Sequence, residues 1–413
     1  MTGYPVKIHK LSPKRVPPFC EYFGVCGGCK WQQLAYEEQL KYKQQQVADN
    51  LARIGKVQLQ EINNIIPSAM LTNYRNKLEF AFSENRWFTE NVVHGAGEAP
   101  TRKALGFHIP EMFNRVLDIK RCYLQEEPSN QIRNAIREYA LEKNLDFYNR
   151  KKKKGFLRNL IIRNTTAGEW MIILSFSREE KKAIEGLLGF VSQKFPEITS
   201  LMYVINPKGN DTISDLAVHP YKGSEYITEK IDGLKFKIGP KSFFQPNSQL
   251  INSLYEVVLS LAGLKGNEVV YDLYSGIGAI AVYISKHCGK VIGIENVPEA
   301  VENAKENSII NNIKNTEFIA GDVKDILTSQ LMIQKGKPDL VIADPPRSGI
   351  HKAVIEKLLS LQPGRIIYVS CNTATQARDI NLLSEKYKIK IVQPVDMFPH
   401  THHVENIVLL DAV

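Results

Sequence analysis

Glu268-Val269-Val270-Tyr271-Asp272-Leu273-Tyr274-Ser275-Gly276-Ile277-Gly278 reads as a buried strand running into a glycine turn. The run to Leu273 is short, apolar and β-branched, the pattern of a strand covered on both faces. Gly276 and Gly278 let the backbone turn tightly and approach a ligand, and a helix follows to about His287. Val291-Ile292-Gly293-Ile294-Glu295 is the next strand, and its terminal carboxylate, Glu295, is placed to accept hydrogen bonds from ribose hydroxyls. Pro298 then opens another helix at a position where proline is tolerated.

Outward from this turn, strands and helices alternate from about Phe243 to the C-terminus, which indicates a mostly parallel sheet with helices on both faces. Gly276-x-Gly278-x-x-Ala281 alone would also satisfy a dinucleotide-binding fingerprint. Two later stretches weigh against that. Gly321-Asp322 follows a third strand at Thr316–Ile319 and offers a polar side chain where the adenine edge lies in a methyltransferase. Leu340-Val341-Ile342-Ala343-Asp344-Pro345-Pro346-Arg347 sets a rigid turn at the end of the fourth strand, where open α/β sheets build their sites. An oxidoreductase leaves the Asp-Pro-Pro-Arg turn unexplained. The domain therefore reads as an S-adenosylmethionine fold.

A second stretch carries the chemistry. Arg365–Val369 is a short buried strand after the turn pair Pro363-Gly364, and Ser370-Cys371-Asn372 follows it. Thr373-x-x-Gln376 has the form of a capping box, with a helix expected to about Tyr387. Cys371 thus sits just ahead of a helix N-terminus, where unpaired N–H groups and the helix dipole ease formation of a thiolate. The bland alternative is an inert core cysteine. Cys288, on the helix after the glycine turn, reads as packing.

The 413 residues suffice for two or three domains, and 43% hydrophobic with 23% charged residues is the composition of a globular protein. No apolar run approaches membrane-spanning length and no hydrophobic signal segment opens the chain, so a cytoplasmic protein without a membrane partner is expected. The formal charge of +9 fits a polyanionic partner. Nothing indicates an obligate protein partner.

Of six cysteines, Cys20, Cys26 and Cys29 form a C-x5-C-x2-C array whose glycines let the sulfurs converge. Cys122 is the best candidate for a fourth ligand. Four thiolates suit an iron–sulfur cluster or structural zinc, and ligand type alone does not choose between them. Gln32 to about Leu51 reads as a helix, and Lys77–Phe82 and Ala104–His108 as strands. Among these, Tyr74, Arg75, Lys77, Arg86, Trp87, Phe88, Arg102 and Lys103 interleave basic and aromatic residues. That mixture suits phosphate contacts with base stacking, or equally an ordinary sheet with snorkelling cations. A helix near Gln131–Lys143 precedes the basic run Arg150–Lys154, and strands at 159–163, 170–176 and 201–205 flank a helix at about 179–195. His400, His402 and His403 are ligands by type, but clustered loop histidines have other uses.

Taken together, Phe243-Phe244-Gln245-Pro246-Asn247, the Asp272–Gly278 turn, Asp344-Pro345-Pro346-Arg347, Ser370-Cys371-Asn372 and His400-Thr401-His402-His403-Val404-Glu405 resemble the RNA (uracil-5-)-methyltransferase family. The cysteine array extends the likeness to the ribosomal RNA branch that carries a 4Fe-4S cluster. The resemblance implies Cys371 as the nucleophile toward carbon 6 of uracil and Glu405 as the base at carbon 5. It places Gln245, Tyr274, Glu295, Asp322 and Asp344 at S-adenosylmethionine or the target base. It assigns Cys20, Cys26, Cys29 and Cys122 to the cluster, with 23S ribosomal RNA as the target and transfer RNA as the alternative. A non-catalytic iron–sulfur RNA-binding protein is the rival reading, which the Cys371 and Glu405 pair opposes.

The expected architecture is α/β: a Rossmann-like class I S-adenosylmethionine methyltransferase domain at 243–413, preceded by an iron–sulfur segment with a helix at 1–63 and an α+β central domain at 64–242. Two departures stand out. Ala279 occupies a position where the family often has a polar residue. Only 19 residues precede Cys20, too few for the β-barrel RNA-binding domain some members carry, so RNA contacts are expected from the central domain and the cysteine segment.

Overall fold

The computed structural model describes residues 10–57, 62–88 and 101–413. Residues 1–9, 58–61 and 89–100 lie outside them.

Helix α1 (Tyr36–Arg53) buries Gln39, Lys43, Val47 and Leu51, a stripe with a four-residue step. It starts later than the Gln32 expected from composition. An eight-stranded sheet follows, built from β1 (Lys77–Ser83), β2 (Arg86–Trp87), β3 (Ala104–Ile109), β4 (Met112–Asp118), β5 (Leu157–Asn164), β6 (Trp170–Phe176), β7 (Ser200–Ile205) and β8 (Val218–Gly223). Its order is β2-β4-β3-β1-β5-β6-β7-β8. Helices α2 (Ser129–Glu142) and α3 (Lys181–Lys194) cover one face, sealing a core that includes Phe80, Leu160, Ile136 and Leu187.

The hairpin of β9 (Ile227–Ile231) and β10 (Leu234–Ile238) leads to α4 (Ser248–Ala262). Ile227, Phe236 and Ile238 share one apolar cluster with Leu250 and Leu254, so the packing unit around α4 reaches back through the hairpin.

A seven-stranded sheet forms the C-terminal part. In chain order its elements are β11 (Val269–Leu273), α5 (Ala279–Ile284), β12 (Lys290–Glu295), α6 (Pro298–Ile310), β13 (Thr316–Ala320), α7 (Val323–Ile326), α8 (Ser329–Lys335), β14 (Leu340–Ala343), α9 (Lys352–Leu361), β15 (Arg365–Ser370), α10 (Thr373–Leu383), β16 (Tyr387–Val395) and β17 (Glu405–Ala412). The order β13-β12-β11-β14-β15-β17-β16 has parallel pairing up to β15 and an antiparallel β17 inserted beside it. Chain direction across the sheet reverses between β11 and β14, and a cleft opens at the carboxyl ends there, as open α/β sheets require.

Two local expectations need correction. Thr373 does not cap α10: Asn372 does, its side chain accepting from the Ala374 and Thr375 amides. Gln376 instead turns into the core and donates to the carbonyls of Tyr368 and Asn406 at 2.9 and 3.0 Å. The helix also ends at Leu383, because Tyr387 already belongs to β16.

Candidate active site

The cleft, about 740 Å³, is lined by every cofactor and catalytic candidate: Gln245, Tyr274, Glu295, Asp322, Asp344, Cys371 and Glu405. The sheet register explains the convergence. β15 and β17 run antiparallel with Ser370 opposite Asn406, so the next pair outward is Cys371 and Glu405. Asp344 follows β14 directly and Asp272 lies near the end of β11, beside it.

At the glycine turn, Tyr274 (φ 63°), Gly276 (φ 54°) and Gly278 (φ 75°) are all left-handed. A Cβ on Gly278 would stand 2.8 Å from the Phe318 ring and 2.9 Å from Ala304 Cβ, so this glycine is dictated by packing. A Cβ on Gly276 would meet nothing within 4 Å because that side faces the cleft. Glu295 holds the turn by accepting from the Gly276 and Val297 amides at 2.9 and 2.8 Å. Asp322 caps α7 through the Lys324 amide and pairs with the Lys324 ammonium. Asp272 Oδ2 and Ser275 Oγ are buried in the cleft wall without a protein partner. Unmatched buried oxygens are costly, and here they fit a polar ligand.

At the other end, the Gln245 amide donates to Asp344 at 3.3 Å, while the Gln245 carbonyl accepts from Asn76 at 2.8 Å. Asn372 also donates to the Arg347 carbonyl at 2.9 Å, tying the cysteine turn to the Asp-Pro-Pro-Arg turn. The Arg347 guanidinium lies 2.9 Å from His403.

Electrostatically the site is crowded with acids. Burial pushes Asp344 up to about 7. Glu405 lies well above the ordinary carboxyl range, through burial first and the Asp344 charge second, and Asp272 rises for the same two reasons. The Cys371 thiol is pushed up to about 11 by burial and then by Glu405, with Arg347 opposing. This corrects the expectation of an eased thiolate: without ligands, desolvation and a neighbouring carboxylate outweigh the helix terminus.

The sequence reading left Phe243, Phe398 and His403 out of the site. All three line the cleft, and Phe243 is 68% exposed, a large bare ring on its wall. Its place in the Phe-Phe-Gln motif was the available signal. Arg75 also reaches the cleft, with its guanidinium 5.9 Å from the Phe398 ring. Its sequence neighbours mostly turn inward: Tyr74 is buried, Arg86 pairs with Asp118, and Lys103 bonds to Asn144 and Leu145. Those cations read better as sheet framework than as a binding surface.

Helix α1 braces the segment that carries Glu405. Lys43 and Asp396 form a fully buried ion pair, and Lys43 also donates to the Phe398 carbonyl at 2.9 Å. Gln39 accepts from the His400 amide at 2.9 Å.

Cys20, Cys26, Cys29 and Cys122 line a second, smaller cavity of about 110 Å³ with mainly apolar walls. Among the described residues, no three His, Cys, Asp or Glu side chains are arranged to hold a metal ion. The donor set is nonetheless four thiols, and burial pushes Cys29 and Cys122 up to about 11 and 12. Arg133 is buried behind Cys122, bonded only to neutral oxygens of Asn130, Lys120 and Asn134. A buried cation of this kind fits an anionic thiolate centre.

A family model described as tRNA (Uracil-5-)-methyltransferase matches residues 223–413. An uncharacterized RNA methyltransferase of Bacteroides thetaiotaomicron is 55% identical over 98% of this chain and 90% of its own length. One from Porphyromonas gingivalis is 51% identical over 99% and 90%. The chain belongs to the RNA (uracil-5-)-methyltransferase family. In solved structures, the Pyrococcus abyssi tRNA (uracil-54, C5)-methyltransferase in complex with S-adenosyl-L-homocysteine superposes with a TM-score of 0.75. It is 28% identical and covers 98% of this chain and 88% of that one. The protein is thus an S-adenosylmethionine-dependent RNA methyltransferase with the mixed α/β fold of such enzymes. Among the described residues, no helix is long and apolar enough to cross a membrane.

Proposed function

We propose that this enzyme methylates carbon 5 of a uridine in RNA through a covalent adduct with Cys371. The observation that carries the reading is the pairing of Cys371 with Glu405 across the β15–β17 register, in the same cleft as the glycine turn.

Carbon 5 of uracil is a weak nucleophile. Once the Cys371 thiol has released its proton to water, addition of the thiolate to carbon 6 makes the ring an enolate with electron density at carbon 5, splitting one hard step into easier ones. Bound S-adenosylmethionine supplies the electrophilic methyl group. Gln245 and Asp344 hold the uracil edge; a carboxyl with a pKa raised toward 7 can donate or accept there. Glu405 then takes the hydrogen left on carbon 5, and the electrons of that bond restore the ring double bond and expel the thiolate. Glu295 and Asp322 serve the cofactor's ribose and adenine ends, with Tyr274 beside them. A stacked uridine must leave its helix to enter, and Phe243 offers a ring to receive it.

Ribosomal RNA is the proposed target, on the strength of the cysteine set. Transfer RNA is the second reading, favoured by the likeness to the Pyrococcus abyssi enzyme. Cys20, Cys26, Cys29 and Cys122 are proposed to hold a 4Fe-4S cluster, supported by their shared cavity and the buried Arg133. The methyl transfer requires no electron, so the cluster's part is structural.

The test is methylation of separate 23S ribosomal and bulk transfer RNA, each lacking 5-methyluridine, with labelled cofactor and nucleoside analysis. Labelled 5-methyluridine in ribosomal RNA is expected. Label in transfer RNA alone reassigns the target, and label on another base or none refutes the reaction. Protein purified without oxygen should carry iron and sulfide; stoichiometric zinc instead would overturn the cluster.

A further inference from the structure

A groove on the far side of the cysteine loop is not used by the chemistry above. The Gly27-Gly28 backbone forms one side and the β3–β4 turn the other of an open, shallow groove of about 600 Å³. The two walls are fitted to each other: a Cβ on Gly27 would come within 2.8 Å of Pro110 Cγ. Phe107 faces both this groove and the cysteine cavity, so the same loop shapes both. Phe113 stands in the groove 61% exposed, with the adjoining Met112 44% exposed. The Arg150 guanidinium is 6.0 Å from the Phe113 ring and is steadied by Asp211 at 2.9 Å.

The surroundings are cationic. Lys30 lines the groove and, among the described residues, pairs with no carboxylate; Glu111 is the one acid in the lining. Beyond Arg150, residues 149–154 form a closed turn, in which the Asn149 amide donates to the Lys154 carbonyl at 2.6 Å and the Lys154 amide donates back at 3.3 Å. Lys151 to Lys154 are all exposed on it. The wall of the groove is also tethered to the segment that carries Glu405. The amides of Lys30 and Trp31 both donate to the His400 carbonyl, at 2.8 and 2.9 Å, five residues before Glu405 on the segment carrying His402 and His403. Burial first, and then Arg347 at the cleft and Lys30 at the groove, both close to the His402 ring, disfavour its protonation.

We infer that this groove is a second RNA subsite, in which an unpaired base of the substrate stacks on Phe113 while its phosphates engage Lys30 and the Lys151–Lys154 turn. A cationic groove with an exposed ring is how single-stranded nucleic acid is held without sequence readout, whereas a protein partner would call for a broader apolar centre. The site rests on the reading that this chain acts on RNA, and gives the cysteine loop a positioning task in substrate binding.

The test uses the full chain and a fluorescein-labelled single-stranded RNA of mixed sequence, followed by anisotropy. Phe113→Ala should weaken binding roughly ten-fold, about 1.4 kcal/mol, within the range for loss of one base–aromatic stack. Phe113→Tyr should bind like the parent, and Lys151→Glu with Lys153→Glu should flatten the salt dependence. S-adenosylmethionine affinity should stay unchanged in all three. A 4-thiouridine photocrosslink should map to the peptide containing Phe113. Binding by Phe113→Ala within two-fold of the parent, or crosslinks confined to other peptides, overturns the subsite. If Phe113→Ala weakens binding but no RNA is methylated by the parent, the catalytic reading fails and the subsite stands. Normal methylation with unaltered binding by Phe113→Ala removes the subsite alone.

Discussion

Replacing Glu405 with glutamine separates the two halves of the proposed cycle. Glu405 is 1% exposed and stands across the register from Cys371, so the isosteric amide fills the same space. Two effects of opposite sign follow. Glu405 is the largest charge raising the Cys371 thiol, so its neutralisation brings that pKa down from about 11 and leaves adduct formation unharmed. The hydrogen on carbon 5, however, loses its acceptor. A positioned general base contributes roughly 10²- to 10⁴-fold, equivalent to about 3–5 kcal/mol at about 1.4 kcal/mol per decade. Turnover should fall by that factor while a covalent protein–RNA species builds up on ordinary uridine. Denaturing gels of rapidly quenched reactions with end-labelled RNA read both quantities. Turnover within three-fold of the parent, or slow turnover with no accumulated adduct, would refute the assignment of Glu405 as the base.

Three other outcomes follow from the geometry. Asp344 has a folded pKa of about 7 against an ordinary 3.8, so folding disfavours its ionised form, and wild-type stability falls as pH rises from about 4 to 7. At about 1.4 kcal/mol per pH unit the ceiling is roughly 4 kcal/mol; Asp344→Asn should therefore gain denaturation midpoint over wild type at pH 8 but not at pH 4, and equal differences at both would contradict the burial argument. Lys43→Met leaves Asp396 charged and unpaired in the core and should cost about 3–5 kcal/mol in urea unfolding, with much of that recovered by adding Asp396→Asn. Gly278→Ala meets the Phe318 ring at 2.8 Å and should destabilise the fold by about 1–3 kcal/mol. Gly276→Ala has open space but must hold φ 54°, so it should cost about 1–2 kcal/mol of backbone strain and also weaken S-adenosylmethionine binding, measurable by calorimetry; unchanged cofactor affinity would mean that the cofactor lies elsewhere.

The methyltransferase-type sheet was legible in the sequence because its signals are local. Strands β11, β12, β14 and β15 are largely apolar runs, and at or next to the end of each stands a residue that chemistry marks: Asp272, Glu295, Asp344, Cys371. What the sequence concealed were side chains whose role depends on distant partners. On α1 the buried stripe carries Gln39 and Lys43 beside Val47 and Leu51, and the partners of those two polar residues lie some 350 residues later at His400 and Asp396. The capping box failed for a related reason: Gln376 satisfies two core carbonyls, one of them on β17, and Asn372 beside the nucleophile takes over the cap. Local geometry also misjudged the thiol. A helix terminus favours an anion, but no one-dimensional reading shows two buried carboxyls, Glu405 and Asp344, brought beside Cys371 from other strands of the sheet. Phe113 was passed over because a lone exposed aromatic at the start of a strand carries no periodic signal; only the cations folded around it set it apart.

The central claim is that Cys371 adds to carbon 6 of uracil, and 5-fluorouridine-substituted RNA tests it most directly. Fluorine at carbon 5 leaves no proton for Glu405 to remove, so the methylated adduct cannot resolve. With S-adenosylmethionine present, the enzyme should form a stable protein–RNA species surviving denaturation, with mass spectrometry placing the nucleotide on the Cys371 peptide. Cys371→Ala should form none. No adduct with RNA that the enzyme demonstrably methylates, or an adduct persisting in Cys371→Ala, would contradict the account.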